Sequence, residues 1–109
     1  MLKIKNPSDK KLIKILKKEP FTNSTIMHYT GNMWGIGCRL SSLESVERIN
    51  RLKQRSKGGM IVLVPDLAWF ESWQIEVPER VQSLMQQYFP GNLSIAFTLE
   101  DPRFEHVAV

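Results

Sequence analysis

The stretch GIGCRLSSLESVERINRLKQRSKGGMIVLV, residues 35–64, decides how the chain is read. It opens on a turn bracketed by Gly35 and Gly37, passes into an amphipathic helix, leaves through a basic exit and ends in an apolar run. Ser41, with Glu44 three residues later, forms a capping box, in which each side chain satisfies a backbone donor near the other residue. Leu43, Val46, Ile49 and Leu52 follow at helical spacing and give one apolar stripe. Gly58 and Gly59 stop the helix, and residues 60–64 read as a strand entering the core. Arg51, Lys53, Arg55 and Lys57 lie between that helix and that strand. Two uses fit them. They complement the negative end of the helix dipole from solvent, or they gather anions in a hollow. Residue type alone favours the first.

Working outward, Ser8 caps a helix over 9–18 whose apolar face is Leu12, Ile13 and Leu16. Pro20 ends it. The lysines on its other face make a solvated surface, with docking to RNA or a membrane surface as the sharper alternative. Residues 22–30, with Ile26, Met27 and Tyr29, support a strand or a loop. Beyond the central stretch, Asp66 caps a short helix through Trp73. Trp69, Phe70 and Trp73 share a face there, suited to core or subunit packing, or to base stacking if exposed. Pro78 and Glu79 open a further helix with Val81, Leu84, Met85 and Tyr88 as its stripe, closed by Pro90 and Gly91. Residues 93–99 alternate as a strand does, Asp101-Pro102 marks a turn, and 104–109 reads as a last strand. Interleaved helices and strands make the class α/β, a mixed sheet covered by helices.

Composition narrows the function classes. The 109 residues make a single domain with a modest core, and 42% apolar content suits a globular chain. A net charge of +4 favours an anionic partner, nucleotide or RNA. The single cysteine, Cys38, excludes an internal disulfide and suits a reducing, cytoplasmic setting. Cys38 with the distant His28 and His106 does not make a structural zinc site, so no metal is expected to reside in the chain. No apolar run reaches the roughly 18 residues of a membrane span, and lysines interrupt any signal-peptide core. The glycines around Gly35 follow neither the dinucleotide fingerprint nor a Walker sequence.

Several ordered blocks resemble the YrdC-like family of threonylcarbamoyl-AMP synthases. They are Gly35-Ile36-Gly37-Cys38, Ser45-Val46-Glu47-Arg48-Ile49, Leu52-Lys53-Gln54-Arg55, Pro90-Gly91-Asn92-Leu93-Ser94-Ile95 and the closing His106-Val107-Ala108-Val109. The resemblance runs from about His28 onward and corresponds to the first half of the family domain. It implies a YrdC-like twisted mixed sheet flanked by helices. In the family's Pro-Thr-Asp/Glu-Thr-Val-Tyr-Gly-Leu-Gly turn, the first threonine matches Thr30, the acidic position is Gly31, the second threonine is Asn32 and the tyrosine is Trp34. Asn32 keeps hydrogen-bonding capacity and Trp34 keeps a stacking face.

The resemblance further implies an activity: joining L-threonine, bicarbonate and ATP, as its Mg2+ complex, into threonylcarbamoyl-AMP and pyrophosphate. That product feeds the threonylcarbamoyl modification of adenosine in tRNA. The family's Lys-x-Arg element matches Lys53 and Arg55, the expected holders of substrate and nucleotide anions, with Lys57 as a further substrate cation. Thr30 and Asn32 are the expected contacts to threonine, and Asn92 and Ser94 the expected nucleotide neighbours. No side-chain nucleophile is implied, because positioning and charge stabilisation carry such chemistry. The family's later Arg-Val-Pro and Ser-x-Asn motifs are absent from these 109 residues. Three explanations compete: a fragment of a longer protein, a shortened paralogue that has lost catalysis, or an intact protein whose homodimer covers the incomplete core. The alternatives to the synthase are a non-catalytic module that binds nucleotide or RNA (tRNA or double-stranded RNA) and a truncated scaffold with no activity of its own.

Overall fold

The computed structural model describes residues 22–56 and 59–108, together with Lys10, Lys14 and Lys17. The remainder of the helix expected over 9–18 lies outside the described residues, as does Lys57. Strand β1 (Thr25–Tyr29) and strand β2 (Trp34–Cys38) form an antiparallel hairpin in which Met27 faces Ile36 and His28 faces Gly35. The choice between strand and loop at 22–30 is thereby settled as strand. Thr30 closes the turn: its N–H donates to the Met33 carbonyl at 2.9 Å, and its hydroxyl donates to the same oxygen at 3.0 Å. Gly35 makes room for the His28 ring, since a Cβ there would sit 3.1 Å from His28 Nε2.

Helix α1 (Leu43–Leu52) follows and packs against β2. Its N-cap is Ser42, not Ser41: Ser42 Oγ accepts from the Ser45 N–H at 3.3 Å. Glu44 does not reach back to complete a capping box but pairs with Arg48 one turn on, at 2.9 Å. Ser42 Oγ donates to Asn23 Oδ1 at 2.7 Å, so a buried hydroxyl fastens the start of the hairpin to the start of the helix. Of the apolar stripe, Val46 and Ile49 are buried, whereas Leu43 and Leu52 stay exposed. Among the described residues, only the middle of the helix has a neighbour to cover it.

Helix α2 (Ala68–Ser72) is capped by Asp66, whose Oδ1 accepts from the Trp69 N–H at 3.0 Å, as the sequence predicts. Helix α3 (Glu79–Tyr88) covers the expected residues and buries Met85. Val46, Ile75, Phe104 and Val107 form the core, with Trp69, Phe70 and Trp73 packed against it. Trp69 and Trp73 stack at 4.8 Å, and Trp73 meets Phe104 at 5.8 Å. The aromatic face therefore serves packing, which removes its material for a base-stacking platform.

Among the described residues, the expected strands at 60–64, 93–99 and, as far as Ala108, 104–109 form no ladder. Residues 60–64 keep the side-chain alternation of an extended chain: Met60 and Val62 pack on the core, while Ile61 and Leu63 stand outward at 75% and 78% exposure. A ladder needs a neighbouring strand, and here the bond from the Met60 N–H to the Val107 carbonyl, at 2.9 Å, is an isolated one. Residues 104–109 fail for a different reason. Asp101 caps the Arg103 N–H at 3.0 Å and Pro102 presets φ, so Pro102–Phe104 turns helically. Phe104 and Val107 then reach the core three residues apart rather than by alternation. The class is α/β, with a two-stranded antiparallel sheet among the described residues. No helix among them is long and apolar enough to cross a membrane.

Arg103 clamps this last turn in place. It pairs with Asp101 at 2.6 Å, donates to the Trp73 carbonyl at 2.8 Å and lies over the Trp73 ring at 5.3 Å. His106 Nε2 meets the Leu40 carbonyl at 2.6 Å and ties the same end to the loop after β2. Hydrogen bonds from Arg103 hold the Asp101 carboxyl below the usual carboxylate range. A depressed folded pKa contributes stability above the unfolded value, about 3.9, and loses it as pH falls further through the folded value. Asp101→Asn should therefore flatten the acid limb of thermal stability below about pH 4, read as melting temperature against pH. Ile49→Ala should cost about 2–5 kcal/mol in urea unfolding.

Candidate functional site

The expected anion-holding residues sit where α1 ends, and the ending has a specific geometry. Gln54 adopts a left-handed conformation, φ 52°. The Gln54 N–H donates to the Arg51 carbonyl and the Arg55 N–H to the Asn50 carbonyl, both at 3.0 Å. These are the paired bonds of a Schellman cap, built on glutamine where glycine is usual. They occupy carbonyls that would otherwise point at an incoming anion. Helix α2 ends the same way, with Gln74 at φ 54° and bonds of 2.9 Å from Gln74 to Glu71 and from Ile75 to Phe70.

The cap fixes what the cations do. Arg55 is half-buried, and its Nε donates to Asn50 Oδ1 at 2.8 Å. That bond leaves both Nη groups without a hydrogen-bond or ion-pair partner among the described residues, a fork of the kind that grips carboxylate or phosphate. Lys53, the C-cap residue, is exposed and likewise unpaired among the described residues. Arg51 and Lys53 offset the partial negative charge of the helix end.

The other expected residues fall in two further places. Thr30 and Asn32 are in the exposed hairpin turn. The Thr30 hydroxyl is engaged there, donating to the Met33 carbonyl and accepting from the Met33 N–H at 3.3 Å. Asn92 and Ser94 line an open, largely apolar cleft of about 680 Å³ with Leu84, Tyr88, Leu93, Ile95 and Ala96. The structure thus groups Lys53 with Arg55 and Asn92 with Ser94, while the cleft lining includes neither cation nor turn residue. Gly91 at the cleft's edge passes so close to α3 that a Cβ would lie 2.6 Å from the Tyr88 carbonyl oxygen. Cys38 is half-buried against the core, and burial pushes its thiol up despite the opposing charge of Arg48. It is a packing residue rather than a nucleophile.

Asn50 is the residue that sequence reasoning missed. Its signal is a five-residue spacing to Arg55, which carries meaning only once Gln54 is known to turn left-handed.

Hairpin, basic helix exit and cleft carry the blocks of one known family. Residues 21–108 match the Sua5/YciO/YrdC family profile, described as telomere recombination, and the chain belongs to that family. A curated relative, the threonylcarbamoyl-AMP synthase of Bacillus subtilis (strain 168), is 27% identical over 74 residues, which are 67% of this chain and 21% of the relative. The chain thus spans about a fifth of the length of the curated relative it matches. No solved structure matches it.

Because left-handed backbone strains a residue with a Cβ, Gln54→Gly should raise stability by about 0.5–1 kcal/mol. Urea midpoints of the two proteins check this.

Proposed function

We propose that the chain is a threonylcarbamoyl-AMP synthase-like module that binds ATP, L-threonine and bicarbonate for nucleotidyl transfer in tRNA threonylcarbamoyladenosine formation. The observation that carries the reading is the Arg55 fork, held at the end of α1 in a chain of this family. The reaction gathers a carboxylate, a carbamate and a triphosphate, which repel one another. A cationic surface must offset that repulsion before the carbamate oxygen attacks the α-phosphorus and pyrophosphate leaves. Arg55 suits a bidentate grip on phosphate or carboxylate, and Lys53 and Lys57, two residues to either side of it in sequence, carry the point charges of the same basic run. Mg2+ would enter as part of the Mg-ATP substrate and would offset phosphate charge there.

Element lengths support bringing the turn residues to the same place. Four residues separate the end of β2 from the start of α1, which packs against that strand. Its ten residues rise about 15 Å, against about 17 Å for a five-residue strand. On this reading α1 returns along β2, an arrangement that would bring Lys53 and Arg55 level with Thr30 and Asn32. In that arrangement Asn32 and the backbone of the turn contact the amino acid, since the Thr30 hydroxyl is spent on the turn itself. Asn92 and Ser94 approach the nucleotide from the cleft.

A second reading, favoured by the cations at the end of α1 that have no partner among the described residues, is a non-catalytic module that binds nucleotide or RNA. The two separate cleanly. Incubation with ATP, Mg2+, bicarbonate and L-threonine should release pyrophosphate, at least tenfold above the Lys53→Met, Arg55→Met variant. Release equal to that control removes the synthase reading for this chain. If RNA binding that weakens steeply with salt then remains, the binding module stands.

A further inference from the structure

The Asn50–Arg55 pair does more than decorate a helix end. An unrestrained arginine carries about 2 kcal/mol of rotamer entropy, much of which is lost when an anion fixes it. Here the backbone of Arg55 is already set by its bond to the Asn50 carbonyl, and its side chain by the bond from Nε to Asn50 Oδ1. One residue therefore fixes another at both levels. Oδ1 takes the Nε edge of the guanidinium and leaves both Nη groups without a partner among the described residues, restrained before any ligand arrives. The preceding Gln54, forced left-handed at φ 52°, is what folds Arg55 back within reach of Asn50. Strain of this kind persists where surrounding bonds over-determine it.

We propose that Asn50 is a positioning residue: it pre-orders the Arg55 guanidinium to receive an anionic oxygen of the nucleotide. The proposal rests on the reading of Arg55 as an anion contact and adds the residue that sets its affinity. Preorganisation of this sort acts on binding because ordering is complete before association.

The test is a double-mutant cycle read by calorimetric titration of Mg-ATP into the wild type, Asn50→Ala, Arg55→Ala and the double variant. Asn50→Ala should weaken ATP binding about tenfold, the scale of one lost charge-assisted hydrogen bond. The same substitution should add nothing in the Arg55→Ala background. An Arg55 Nε–H resonance protected from exchange in the wild type should disappear in Asn50→Ala. It should persist in Asn50→Asp, which keeps an acceptor oxygen and serves as the second variant if alanine unsettles the helix. Asn50→Ala binding ATP as the wild type does, while Arg55→Ala weakens it, overturns the positioning role alone. Equal loss in both backgrounds overturns it as well, by showing a general structural effect. If Arg55→Ala leaves affinity unchanged, the anion-contact reading fails first and this one with it.

Discussion

Asn23 is the point on which the arrangement of hairpin and helix depends. Its side-chain oxygen accepts from the buried Ser42 hydroxyl at 2.7 Å, and its backbone carbonyl accepts from Arg48 Nη1 at 2.8 Å. Both bonds cross from the residues before β1 to the first turns of α1, and they bracket the direction in which the helix leaves. Ser45, fully buried beside Ser42, completes a small polar knot in which no buried side-chain donor or acceptor among the described residues lacks a partner. A satisfied knot of this type specifies geometry, because an alternative angle for the helix would strand groups whose desolvation costs about 1–3 kcal/mol each. With the helix direction fixed, Val46 and Ile49 face inward and the basic residues are delivered to its far end.

Lys53 and Arg55 could be picked out in the sequence by their likeness to the family's Lys-x-Arg element. Their setting could not. Chain reversal after a helix is announced by glycine, yet glutamine occupies the left-handed position after both α1 and α2. Without that cue the sequence puts the stop at Gly58 and Gly59, and Asn50 looks like an ordinary polar residue on the helix.

The fold shows the same division. Helix α3 was legible to its ends because Pro78 and Glu79 start it, a periodic stripe runs through it and Pro90 stops it, all local signals. The expected strand at 60–64 shows the limit. Its apolar run and alternation are genuine, but a ladder belongs to two segments, and one segment's sequence does not contain its neighbour. At 104–109 a local signal was present and outweighed: Asp101-Pro102 reads equally as a turn before a strand and as the opening of a helical turn, and burial of Phe104 with Val107 selects the second. The capping box failed by one residue, because Ser41 and Ser42 compete for the same role and the bond to Asn23 decides for Ser42.

The paired glutamine caps also shape which sequences this fold tolerates over time. Positions 54 and 74 are solvent-facing, the kind of place where substitution is ordinarily free. Here the backbone inverts the rule. Asparagine, aspartate or glycine enter easily, whereas valine, isoleucine or threonine would unwind a helix end from the outside, since β-branched side chains fit the left-handed region worst. At position 54 such a lesion would also carry Arg55 out of register, so drift at an exposed residue would reach the Asn50–Arg55 pair without touching it.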